Sequence, residues 1–99
     1  MSSYNDLISS SRVVMIEFYA TWCPHCQRMM PVIAQIRELL AGSAEIYQLD
    51  VDRDTEAATQ EDVNATPTFI IYRDGKQVWR YSGEIDGNTL LQKIQQFIG

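Results

Sequence analysis

Val13-Val14-Met15-Ile16-Glu17-Phe18-Tyr19 is a continuous apolar run, rich in β-branched residues and interrupted only by Glu17. Such a run reads as a central strand buried on both faces, which needs a covering layer on each side. The chain has 99 residues for this, enough for one core and one domain expected over residues 1–99. Glu17 is the anomaly. An unpaired buried carboxylate is costly, so its presence in this strand points to a role in function rather than to chance.

Directly after the strand comes Trp22-Cys23-Pro24-His25-Cys26, which holds both cysteines and the single histidine of the chain. Two thiols three residues apart at the start of a helix can approach closely. Pro24 suits the first helical turn, where its missing N–H has no partner to lose. Cys23 then sits where free backbone amides point, and those amides favour the thiolate, the nucleophile of disulfide exchange. The pair therefore reads as a redox dithiol, with Cys23 attacking and Cys26, one turn deeper, resolving the mixed disulfide. His25, between the sulfurs, is placed to stabilise the Cys23 thiolate by charge and hydrogen bonding. A structural zinc site would need four N or S ligands, and the chain offers only these three residues. Haem attachment is disfavoured because Gln27, not histidine, follows Cys26. No cofactor and no metal are expected.

The remaining elements follow from periodicity. Ser2 or Ser3 can cap a short helix through about Ser9 that presents Leu7 and Ile8 to the body. Val32, Ile33, Ile36, Leu39 and Leu40 recur at helical spacing, predicting a helix from about Pro24 to Ala41, with Pro31 kinking it and Gly42 ending it. Ala44 to Val51 reads as a second strand, parallel to the first through a right-handed crossover. A short acidic helix capped by Asp54 or Thr55 runs to about Asp62, and Asp50, Asp52 and its acidic residues read as caps and solvated faces. Thr68–Tyr72 and Lys76–Tyr81 flank Asp74-Gly75, the signature of a tight antiparallel hairpin. Gly83 fits a bulge or a close backbone approach. Leu90, Leu91, Ile94, Phe97 and Ile98 form one face of a last helix starting near Asp86 or Asn88. The order predicts an α/β mixed four-stranded sheet flanked by helices on both faces.

Charge narrows the function. A formal net charge of -5, with eight basic residues scattered along the chain, argues against nucleic acid or an anionic membrane as partner. No stretch is long enough to cross a membrane. The first residues show no basic region followed by an apolar core, so no signal peptide is expected and the reading is cytoplasmic. In a reducing cytosol, a Cys-x-x-Cys pair is more often catalytic or metal-binding than structural.

Taken together, Tyr19-Ala20-Thr21-Trp22-Cys23-Pro24-His25-Cys26, Pro31, Asp50-Val51-Asp52, Ala65-Thr66-Pro67-Thr68-Phe69, Asp74-Gly75 and Gly83 resemble the thioredoxin family in order and spacing over nearly the whole chain. The resemblance implies a thioredoxin fold with four strands, because fewer residues precede the dithiol than in typical members and the N-terminal edge strand is expected to be absent. It implies a monomeric protein disulfide oxidoreductase acting on protein disulfides and recharged by a flavin-dependent thioredoxin reductase. It also implies that Thr66-Pro67 is the cis-proline loop whose Thr66 backbone meets an extended substrate, that Trp22 is a partly exposed aromatic platform beside Cys23, and that Glu17 relays protons to Cys26. Gln48 stands where many members carry a lysine partner for that buried acid. Pro-His between the cysteines differs from the usual Gly-Pro and resembles oxidants of the DsbA type, so the expected poise is more oxidising. A thiol oxidase or isomerase is the rival within the class, and a redox-switched or metal-bridging binding module the rival outside it.

Overall fold

The computed structural model describes residues 3–99. Ser2, one of the two expected caps, lies outside them. Ser3 caps α1 (Tyr4–Ile8), its hydroxyl accepting from the Asp6 N–H while the Asp6 carboxylate accepts from the Ser3 N–H. The other elements are β1 (Val13–Tyr19), α2 (Pro24–Leu39), β2 (Glu45–Asp50), α3 (Thr55–Gln60), β3 (Thr68–Arg73), β4 (Lys76–Ser82) and α4 (Gly87–Ile98).

Among the described residues the sheet has four strands in the order β2-β1-β3-β4. β1 pairs in parallel with β2 and antiparallel with β3. Its alternating side chains feed two separate cores. Val13 and Met15 pack with Met29, Ile33 and Ile36 of α2 and Leu90 and Ile94 of α4. Val14, Ile16 and Phe18 pack on the opposite face with Ile8 of α1 and with Ala57 and Ala58 of α3. Helices thus cover both faces, as an apolar run without alternation requires. On the second face, Tyr4 and Tyr72 join hydroxyls at 2.6 Å, and Tyr72 donates to Glu61 at 2.7 Å, tying α1 to the sheet.

The β3–β4 hairpin closes through Asp74 and Gly75, with φ of 53° and 78°. Positive φ at both central positions is the turn that matches the twist of the strands, and aspartate followed by glycine tolerates it best. A side chain at Gly75 would also meet Ser9 Oγ at 3.0 Å.

Three local expectations shift. The long helix stops at Leu39 rather than Ala41, because Leu40 leaves helical geometry while its N–H still reaches the Ile36 carbonyl. The hairpin's bulge is at Val78, which the register skips between Tyr72↔Gln77 and Ile71↔Trp79, and not at Gly83. Gly83 instead adopts a φ of 108° and donates its N–H to the Pro67 carbonyl at 2.8 Å, linking the end of β4 to the loop before β3. Asp50 is buried, not solvated, and accepts the Asp52 N–H at 2.9 Å.

Candidate functional site

The end of β1 delivers the chain straight into α2, and Cys23 is the helix N-cap. Its sulfur accepts the Cys26 N–H at 3.3 Å and lies 3.5 Å from the Thr66 carbonyl, to which the thiol can donate. Pro24 occupies the first turn, where it forfeits no hydrogen bond. Both thiols are free and buried, packed with Ala20 and flanked by Tyr19 and Val51.

The two sulfurs differ in acidity. Burial pushes Cys23 up, but hydrogen bonds from the Cys26 thiol, from Thr66 and from the Cys26 and His25 amides outweigh it, leaving Cys23 below an ordinary thiol. Cys26 goes the other way, to about 11, through burial first and then through its proton being shared with Cys23. One sulfur is prepared as an anion and its neighbour is kept protonated.

Thr66-Pro67 is a cis peptide and lies against this pair. Trp22 is 67% exposed beside Cys23, and its indole N–H donates to Asp52 at 2.9 Å, which fixes the ring on the surface. Sequence position predicts the exposed tryptophan, but not the aspartate that orients it.

Glu17 is 1% exposed and lies on the face of β1 that α2 covers, the face of Val13 and Met15. Gln48, its neighbour in the parallel register, donates to Glu17 Oε1 at 2.8 Å. Gln48 in turn accepts from Arg37 Nη2 at 3.2 Å, and the same guanidinium donates to the Ile46 carbonyl through Nε and Nη2, each at 3.3 Å. Burial pushes the Glu17 carboxyl above the usual range, against the Gln48 bond and the Arg37 charge. Where the resemblance implied a lysine beside the acid, Gln48 stands, and the cation, Arg37, lies behind it.

His25 is arranged differently from the expectation. Its hydrogen bond to Cys23 comes from its backbone N–H, while ring nitrogen Nδ1 pairs with Glu84 and lies 2.8 Å from Arg28 Nη2. Glu84 also accepts from Arg28 Nε at 2.8 Å. Reading the sequence missed Glu84 and Arg28, because 59 residues separate His25 from Glu84 and no local pattern joins them. Among the described residues no cluster of three His, Cys, Asp or Glu is placed to hold a metal ion, and no helix is long and apolar enough to cross a membrane.

Comparison with known proteins agrees with this geometry. The Thioredoxin family model matches residues 1–96. Chloroplastic thioredoxin Y of Oryza sativa subsp. japonica is 36% identical over 95 residues, covering 95% of this chain and 56% of the relative. Thioredoxin of Chlorobaculum thiosulfatiphilum is 33% identical over 94 residues, covering 95% of this chain and 87% of the relative. A mutant thioredoxin from Halobacterium salinarum NRC-1 superimposes with a TM-score of 0.88 at 32% identity, covering 96% of this chain and 82% of that one. The chain spans little more than half the length of its chloroplastic plant relatives. The four-stranded sheet, with its Cys-x-x-Cys pair at the first turn of the long helix, is in keeping with that likeness. This chain belongs to the thioredoxin family.

Proposed function

We propose that the protein reduces disulfides in other proteins through Cys23 and Cys26. The observation that carries this reading is the placement of Cys23 as the cap of α2, its sulfur accepting the Cys26 N–H at 3.3 Å with the second thiol buried one turn deeper, an arrangement in which Cys23 is lowered and Cys26 raised to about 11. The Cys23 thiolate attacks one sulfur of a substrate disulfide, and the other substrate sulfur leaves as a thiolate that takes up a proton. Cys26 then gives its proton to Glu17 and attacks the Cys23 sulfur. The second substrate thiolate departs and the Cys23–Cys26 disulfide remains, so two electrons have passed from the dithiol to the substrate. Trp22, Thr66 and Pro67 form the surface on which an extended substrate strand rests.

The finer parts of the reading are a single monomeric domain in a reducing, cytoplasmic setting, recharged by a flavoenzyme of the thioredoxin-reductase kind. The poise is more oxidising than that of a Cys-Gly-Pro-Cys member. Pro24→Gly with His25→Pro should shift the glutathione equilibrium toward the protein disulfide; an unchanged or more oxidising equilibrium refutes that part.

Insulin reduction tests the activity itself. The protein should accelerate insulin precipitation by dithiothreitol, Cys23→Ser should abolish the acceleration, and Cys26→Ser should accumulate mixed disulfide at Cys23. A wild-type rate equal to dithiothreitol alone would sink the enzyme reading and favour a binding module.

A further inference from the structure

Around the dithiol, the residues that neither resolve nor attack nevertheless form a connected group. Glu84, in the turn after β4, brings one carboxylate oxygen to three nitrogens: Arg28 Nε at 2.8 Å, Arg28 Nη2, and Nδ1 of His25. Both partner side chains belong to the first turns of α2, the helix whose N-terminus holds Cys23. All three side chains are more than a third exposed, so nothing in the core fixes them, and the carboxylate is what draws them together. Glu84 is held low, at about 2, by its bonds with Arg28 and then His25, and so stays charged throughout the pH range in which thiols titrate.

The group reaches the sulfur through charge. Arg28 follows Cys23 by five residues on the helix that Cys23 caps, and across that span its cation and the Cys23 thiolate favour one another. The hydrogen-bonding groups that act on Cys23 are the Cys26 thiol, Thr66 and the Cys26 and His25 amides, none of which carries a full charge. Nearby, Asp52 is occupied by the Trp22 indole. The net field from the α2 side therefore depends on how far Glu84 compensates Arg28 and the His25 ring. Whatever stabilises the thiolate stabilises the dithiol over the disulfide and makes the disulfide the stronger oxidant.

We propose that Glu84 is a positioning residue that sets the redox poise of the Cys23/Cys26 pair: by holding the Arg28 guanidinium and the His25 imidazole, it limits the positive charge acting on the Cys23 sulfur. The Pro-His pair pulls the site toward an oxidant, and Glu84 restrains that pull.

The test is the glutathione equilibrium, in which the protein disulfide and two glutathione thiols give the protein dithiol and one glutathione disulfide. Glu84→Gln keeps the side-chain size and removes the charge. The equilibrium constant should move toward the dithiol by about two- to fivefold, the range of an exposed charge pair, and the Cys23 thiolate absorbance should appear at lower pH. In a background of Arg28→Gln with His25→Gln, Glu84→Gln should change neither readout. An unchanged constant in the single variant overturns the proposal, as does a shift of the same size in the double-substituted background, which would mean that Glu84 acts on the sulfur directly. The proposal rests on the reading of Cys23 and Cys26 as a redox pair, yet its readouts are equilibrium properties. A failure of insulin reduction would fall on the enzyme reading and leave this comparison to be decided separately.

Discussion

Replacing Glu17 with Gln should separate the two chemical steps, because in the proposed mechanism only resolution by Cys26 needs a proton acceptor. Cys26 sits at about 11, so at pH 7 only about one Cys26 in ten thousand is ionised without help. Burial, the first cause of that elevation, persists in the mixed disulfide, whereas the part owed to the Cys23 thiol disappears once that sulfur is bonded. A base that accepts the proton during attack can therefore recover up to about ten-thousandfold, and general bases typically supply about a hundredfold or more. Glu17, pushed upward by burial, is a stronger base than an ordinary carboxylate once ionised. We expect Glu17→Gln to slow resolution about a hundredfold at pH 7 while leaving attack by Cys23 unchanged, since Cys23 is lowered by the Cys26 thiol, Thr66 and the helix amides and not by Glu17. The deficit should shrink by about tenfold for each pH unit as hydroxide takes over the deprotonation of Cys26. Rapid acid quench and mass spectrometry give the lifetime of the mixed disulfide, and a Cys26→Ala background isolates attack. Equal resolution rates in wild type and variant would refute the assignment, as would a loss shared equally by both steps.

Other expectations concern stability. A carboxyl raised in the folded state contributes stability that is fully present below about 4.3, the unfolded glutamate value, and lost as pH rises through the native one, so urea midpoints of the wild type should fall across that window and those of Glu17→Gln should not. Parallel slopes would show that Glu17 is not the titrating group. Leu90→Ala removes a fully buried side chain between α4 and the sheet and should cost about 2–5 kcal/mol in urea denaturation; a loss under about 1 kcal/mol would mean that the site collapses around the smaller residue. Gly75→Ala forces a Cβ into the left-handed region at φ 78° and against Ser9 Oγ, and should cost about 1–2 kcal/mol. An unchanged midpoint would contradict the hairpin geometry.

What could be read from the residues was whatever depends on near neighbours in the chain. The apolar run of β1, broken only by Glu17, announced a strand with two covered faces, and both cores are there. Asp74-Gly75 announced the hairpin because both residues tolerate positive φ. Cys23 and Cys26 were legible because three residues of helix bring two thiols together wherever the helix begins. What escaped is what folding assembles from distant segments. Glu84 meets Arg28 across 56 residues, and its position after Gly83 carries no pattern of its own. The bulge fell at Val78 because the strand slips where its exposed side tolerates an extra residue, whereas Gly83 uses its freedom to reach Pro67. Asp50 looked like a solvated acid, since sequence does not reveal that its carboxylate turns back on the Asp52 amide.

Arg37 has a second effect, at the border of the sheet. β2 is an outer strand, and the Val51 N–H bonds the Tyr19 carbonyl, so alternate residues back along the strand turn their amides inward while Ile46, Gln48 and Asp50 turn theirs outward. An outer strand with free amides is an invitation to a foreign strand. Both donors that Arg37 sends to the Ile46 carbonyl lie on that open side, and the same guanidinium holds the neighbouring Gln48 side chain. Any chain that zipped onto β2 would first have to evict Arg37, and in doing so would disturb a polar connection that leads from the protein's rim to the acid buried beneath its reactive helix.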